Sequence, residues 1–153
     1  MDKKDIKFLT HLRNNARETL TMISKKTGIP ISTLYDRLKV HEQSLITKHT
    51  ALIDFAKLGY LCRAHIAVKV TIDEREVIKE YLMKQNCVNS LYKINNGYDY
   101  LIEGVFVHVK EMEDFLERFE QKFKVLEKNV HYIIEDVKRE SFMTDVNAVL
   151  SNV

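Results

Sequence analysis

The chain has 153 residues, enough for one domain of ordinary size or two small ones. An apolar content of 45% with one proline and four glycines excludes a disordered or low-complexity protein. Charge is uneven: residues 1–50 carry ten Lys and Arg against five Asp and Glu, the rest fourteen against seventeen, for a net +2. A positive end on a near-neutral chain is the electrostatic footprint of a phosphate-binding module. Two cysteines, Cys62 and Cys87, are too few for a disulfide framework. No apolar run approaches the roughly 20 residues of a membrane span, and the charged N-terminus lacks a signal-peptide core. A reduced, soluble, cytoplasmic protein is expected.

Asp2 and Asp5 open a first helix, with acids where the helix dipole favours them, and Ile6, Leu9 and Leu12 give it an apolar stripe beside Phe8. Residues 14–17 break the periodicity. Thr19 is an N-cap for a short helix that stops at Gly28, which takes the left-handed conformation of a helix-ending turn. Pro30 borders the next helix, Ser32 or Thr33 serves its N-terminus, and it runs through Leu34, Tyr35, Arg37, Leu38 and Lys39. This order is a helix-turn-helix, whose second helix enters the DNA major groove N-terminus first. The competing reading is an ordinary helix pair with a solvated lysine face. In the DNA-binding reading, Ser32 and Thr33 meet phosphates or the first base edges, and Lys25, Lys26 and Lys39 contact phosphates. Tyr35 faces either the groove or the core, and Arg37 reaches DNA or pairs with an acid to hold the helix.

Leu45–Ile53 is β-branched and lacks caps, so a strand and linker are expected, followed by a connector ending at Gly59. From Cys62 to Ile72 the residues alternate, which predicts a strand with Arg63, His65 and Lys69 on one face. Asp73 and Glu76 form a capping-box pattern before a helix carrying Val77, Ile78, Tyr81 and Leu82. A second strand is expected over Val88–Ile94, a hairpin turn at Asn95-Asn96-Gly97, and a third strand over Tyr98–His108. Glu111–Phe123 is amphipathic, and a fourth strand is expected over Val130–Val137. The order β-α-β-β-α-β is the ferredoxin-like split unit. Its helices cover one sheet face and leave alternating apolar positions bare on the other, so a homodimer through that face is expected.

Three groups of residues together resemble the Lrp/AsnC (feast/famine) family of transcription regulators. They are Asp2, Asp5, Leu9, Leu12 and Asn15-Ala16-Arg17; Gly28-Ile29, Ser32-Thr33 and Asp36-Arg37-Leu38; and Ile46, His49-Thr50-Ala51-Leu52 with Tyr98-Asp99-Tyr100-Leu101. The resemblance spans residues 1 to about 140. It implies an α+β chain: an N-terminal helix-turn-helix (winged-helix-like) DNA-binding domain over 1–50, a linker over 51–60, a ferredoxin-like effector and oligomerisation domain over 61–140, and a C-terminal tail over 141–153. It also implies double-stranded DNA as partner, dimers that assemble further, commonly to octamers, and an amino acid or other small effector bound between dimers near the hairpin. The effector residues are then Asn95, Asn96, Gly97, Tyr98 and Asp99, with Asp99 accepting an ammonium group and the turn amides holding a carboxylate. The chain departs from the family pattern at His41, where a leucine is usual, at Ser44, where many members have glycine, and at Asn96, where glycine is usual.

No catalytic, metal or cofactor motif stands out, and the histidines and cysteines lack zinc-site spacings. A second reading comes from sirohaem decarboxylases, which resemble Lrp/AsnC proteins over the same two domains. Such an enzyme would need Arg63, His65, His108 and His131 to converge on a tetrapyrrole's carboxylates.

Overall fold

Three helices begin the chain: α1 (Lys3–Asn14), α2 (Leu20–Thr27) and α3 (Ile31–Ser44). The Asp2 side chain caps α1 by accepting from the Lys4 N–H at 3.0 Å. Thr19 caps α2 by accepting from the Met22 N–H at 3.3 Å. Gly28 then closes α2 in the left-handed region, φ 72°, donating to the Ser24 carbonyl. Phe8, Ile23, Ile29 and Leu34 form the buried cluster here, with Leu12, Leu20 and Leu38 packed against it. Phe8, flanking the stripe in the sequence pattern, is thus its fully buried member.

The rest of the fold is a four-stranded antiparallel sheet with two helices on one face. It comprises β1 (Cys62–Val70), α4 (Arg75–Met83), β2 (Val88–Lys93), β3 (Tyr100–Phe106), α5 (Val109–Lys122) and β4 (Val125–Tyr132), in spatial order β2-β3-β1-β4. This is the ferredoxin-like βαββαβ arrangement, and the whole is α+β as expected. Ala64, Ile66, Val68, Ile102 and Phe106 meet Ile78, Leu82, Met112, Phe115 and Phe119 in one core. A short α6 (Val146–Ser151) packs against α1. The computed structural model describes residues 2–151, with side chains described as far as Val149. It divides into two units, one running through Leu52 together with the chain from Val137 onward, the other Ile53–Asp136. No described helix is long and apolar enough to cross a membrane. Cys62 and Cys87 are both free thiols.

Five local expectations need correction. Neither Ser32 nor Thr33 caps α3: Pro30 occupies the N-cap position and no side chain bonds the first amides. Residues 46–54 form no strand, since no second strand lies beside them among the described residues to complete a ladder. Asp73 and Glu76 make no capping box. A 3₁₀ turn, Ile72–Glu74, intervenes, and Glu74 instead accepts from the Thr71 hydroxyl at 3.1 Å and from the Lys124 N–H at 2.9 Å. The third strand begins at Tyr100, after Tyr98 and Asp99 have completed the turn. The fourth strand is displaced toward the N-terminus, because its register on β1 pairs Val70 with Val125 and Ala64 with Tyr132. Past that ladder Ile134 is 98% exposed. The open sheet face also differs from the apolar surface anticipated. Arg63, His65, Lys69, Glu103 and His131 stand there among Ala67, Leu101 and Val105.

Candidate nucleic-acid interface and effector hairpin

On α3, Leu34, Leu38 and His41 point inward at helical spacing, while Ser32, Tyr35, Asp36 and Lys39 form the exposed face. Tyr35 is half exposed, with the Lys39 ammonium 4.5 Å from its ring centre. Thr33 is partly buried beside this face. On α2, Lys25 is exposed with no ion-pair partner among the described residues. Lys26 is bound by Glu18, which also lies 3.1 Å from His11 Nδ1. The bond from Lys26 is the chief cause holding the Glu18 carboxyl below its ordinary range.

Arg37 pairs with acids of the first helix. Its guanidinium is gripped by Asp5, and by Asp2 at 2.9 Å, both from the first turn of α1. His41, only 6% exposed, places Nε2 3.0 Å from the same Asp5 oxygen, and its Nδ1 has no hydrogen-bond partner among the described residues. This cluster was not anticipated. Its signal lay in two i-spaced pairs, Asp2 with Asp5 and Arg37 with His41, each on one helix face. Burial alone would raise the Asp5 pKa, but the bonds from His41 and Arg37 outweigh it and hold the carboxyl below the ordinary 3.8.

The β2–β3 hairpin is held from inside. Asn96 takes φ 61° and Gly97 φ 88°, the positive values that the turn requires. Asn95, Asn96 and Gly97 are exposed, and the Tyr98 hydroxyl donates to Glu127 at 2.8 Å. Asp99 is buried and fully engaged: one oxygen accepts from the Val70 N–H at 2.9 Å, the other from Arg75 Nη2 at 2.7 Å. It therefore braces the turn rather than offering a free charge. Beside it lies an open cleft of about 670 Å³, walled by Val70, Ile72 and Leu126 with Asp73, Arg75, Gly97, Tyr98 and Asp99 on its rim. Asp73 has no hydrogen-bond or ionic partner among the described residues. Asp73 and Arg75 were not among the anticipated site residues, because only the fold brings the start of α4 beside the hairpin.

Of the four groups of the enzymatic reading, Arg63, His65 and His131 share the open sheet face, whereas His108 sits at the start of α5. Arg63 is engaged by Asp136, at 2.6 and 3.0 Å, and by Glu103 at 3.5 Å. His108 caps α5 by accepting from the Glu111 N–H at 3.1 Å. His65 and His131 do face each other across β1 and β4.

The Asp5 cluster carries a pH dependence with a definite sign. A carboxyl whose pKa is depressed by folding contributes stability above its unfolded pKa near 3.9, and that contribution disappears as pH falls through the folded value. Replacing Asp5 by Asn is expected to cost about 1–3 kcal/mol at pH 7, because the Arg37 guanidinium and the buried His41 ring lose the carboxylate they share. The difference from wild type should shrink by pH 3, as measured by denaturant titration at both pH values.

No family model matches the chain. It is 32% identical over 118 residues to the HTH-type transcriptional regulator FL11 of Pyrococcus horikoshii, covering 76% of this chain and 78% of that one. A Neisseria meningitidis transcriptional regulator solved in complex with L-Met superposes with a TM-score of 0.86 at 23% identity, covering 97% of this chain and 99% of that one. An AsnC-family regulator from Agrobacterium tumefaciens gives a TM-score of 0.81 at 21% identity, covering 91% and 94%. Those two likenesses bear on the fold alone, whereas the first spans most of both sequences. A helix-turn-helix followed by a split βαβ unit, together with a relative of that identity and coverage, places this chain in the Lrp/AsnC family of transcriptional regulators.

Proposed function

We propose that the protein regulates transcription by laying α3 in the DNA major groove. The observation that carries this is the exposed face Ser32–Tyr35–Asp36–Lys39, which follows directly from the Gly28 turn at a helix start whose amides no side chain caps. Ser32, Thr33 and Tyr35 are the residues within reach of base edges; Lys39 and Lys25 serve phosphates. Lys26 contributes less while Glu18 holds it, and Arg37 acts by fixing the helix to α1. Losing a phosphate contact weakens all sequences alike and lowers the salt slope by about one unit. Losing a base contact costs about 1–3 kcal/mol on the preferred site alone. Lys25→Ala should therefore flatten the salt dependence without changing preference, and Tyr35→Ala should relax preference. Titrations of specific and scrambled duplexes at several salt concentrations test both, and unchanged affinity in both variants would remove α3 from the interface.

The effector reading moves within the same cleft. Because Asp99 is spent on Val70 and Arg75, the free carboxylate of Asp73 is the better acceptor for an ammonium group, with Arg75 as carboxylate partner. Val70, Ile72 and Leu126 favour an apolar side chain. The L-Met complex of the Neisseria regulator supports an amino acid as the ligand class. Calorimetry with the common amino acids should find one that binds, and Asp73→Asn should weaken it at least about tenfold, one lost charged hydrogen bond. Absence of heat with every amino acid would end this reading while leaving DNA binding intact.

A homodimer, assembling further to octamers, completes the proposal. Helices occupy one sheet face only, and Leu52, Ile53, Leu58, Tyr60 and Leu61 leave apolar side chains exposed along the segment before β1. Light scattering at micromolar concentration should give at least a dimer, and a folded monodisperse monomer would contradict it.

A further inference from the structure

The C-terminal segment has a defined structure of its own. Arg13, at the end of α1, donates from Nε to the Phe142 carbonyl at 3.2 Å and from Nη2 to the Glu140 carbonyl at 3.2 Å and carboxylate at 3.1 Å. Glu140 and Met143 adopt φ values of 50° and 59°, a conformation that L side chains rarely take, which turns these carbonyls toward one guanidinium. The Thr144 hydroxyl donates to the Ser141 carbonyl at 3.0 Å, and Asp145 caps α6 by accepting from the Asn147 N–H at 2.9 Å. On α1, Ile6 and Thr10 are buried although they lie outside the cluster around Phe8. With Arg13 they fall at i, i+4 and i+7, one face of the helix, and α6 packs on α1 alongside α2, while α3 meets α1 through Phe8 and Asp5.

The other end of α1 holds α3, through Asp2 and Asp5 on Arg37 and His41. Helix α1 is thus a lever gripped at its C-terminal end by the tail and at its N-terminal end by the recognition helix. The tail is also the direct continuation of β4. The residues between β4 and the tail stay with the sheet, where the Ile133 N–H donates to the Arg63 carbonyl at 2.9 Å and Asp136 pairs with the Arg63 side chain. The chain therefore passes between its two units twice, once after Leu52 and again after Asp136.

We propose that residues 137–151 are an intramolecular coupling strap: by holding α1 they set the position of α3, and they join β4 to the recognition helix by a route separate from the 46–61 connection. This rests on the reading of α3 as the DNA-reading helix. From Glu140 through Arg13 and α1 to Arg37 and His41 the path runs through packed and hydrogen-bonded elements, one physical means by which coupling is carried. From Asp136 to Glu140 it follows the chain itself.

Hydrogen exchange tests it independently of DNA. In a chain ending at Asp136, amides of α1 and of α3 should exchange roughly tenfold faster while those of β1 and β3 keep their protection. In the full chain, Arg13→Ala should produce a change in the same helices of roughly two- to fivefold, the range of an exposed ion pair, and Arg13→Lys should restore part of it. Affinity for the preferred duplex should fall in the same order. If the truncated chain loses sheet protection as well, it has misfolded and the full-length Arg13 variants decide. Unchanged α1 exchange in Arg13→Ala overturns the strap, and faster α1 exchange with unchanged α3 overturns the coupling. A wild-type chain that binds no duplex would overturn the reading of α3, while the exchange pattern would still judge the strap.

Discussion

One carboxylate, that of Asp5, decides how the recognition helix sits on its support. The apolar cluster beneath α3 is very small: Phe8, Ile23, Ile29 and Leu34 are its buried members. So small a core buries little surface and discriminates weakly among helix orientations, because apolar contact is not directional. Hydrogen bonds are directional. Arg37 and His41 stand one turn apart on α3, and both reach the same Asp5 oxygen. That geometry is met at one rotation of the helix only. A partly buried carboxylate that loses its donors is costly, so the cluster opposes any rotation that would break it. The buried His41 ring thus adds a fixed polar contact to the apolar packing beneath α3.

The same device recurs in the sheet unit. Asp99 ties the hairpin to the Val70 amide and to Arg75 of α4. Glu74 ties the start of α4 to the Lys124 amide just before β4. Glu103 on β3 accepts from Asn89 at 2.9 Å and from Ser90 at 2.8 Å, both on β2, and meets Arg63 on β1. These acids join elements across the fold, so they are committed before any ligand arrives. Among the polar groups left outside this network are Lys25 and the exposed Tyr35–Lys39 pair on one unit and Asp73 at the cleft on the other. The core under the sheet is larger and rich in aromatic rings. Phe115 and Phe119 are buried and stack with ring centres 6.3 Å apart, and Phe119 meets Tyr81 and Phe123. A packed aromatic core of this kind supports a hairpin whose exposed residues are Asn95, Asn96 and Gly97.

Local physics made the element order legible. Thr19 before a helical stripe, Gly28 after it, the strict alternation from Cys62 onward and the Asn-Gly turn each act within a few residues. Caps, positive φ and side-chain periodicity are therefore readable without knowing what lies across the fold. From these followed three helices, the βαββαβ order and the position of the hairpin, while the resemblance supplied the family. The same reasoning predicted a strand over Leu45–Ile53 and placed the last one at Val130–Val137. Both turn on pairing: β-branched composition favours a strand, but only a partner makes one, and the β1 register determined that β4 runs from Val125 to Tyr132.

Which charged side chains are free was decided by tertiary structure alone. Arg37 and Asp99 carry the residue types expected of DNA and ammonium contacts, yet both are consumed by partners far away in the chain: Asp2 and Asp5 for Arg37, Val70 and Arg75 for Asp99. Asp73, which sequence pattern assigned to a helix cap, was released when a 3₁₀ turn moved the helix start to Arg75. Arg13, unremarked in the sequence, gathers three acceptors from a segment more than 120 residues away. The reason is the same in each case. Periodicity and capping depend on neighbours along the chain, whereas the pairing of a charge depends on which groups the fold brings within about 3 Å of it.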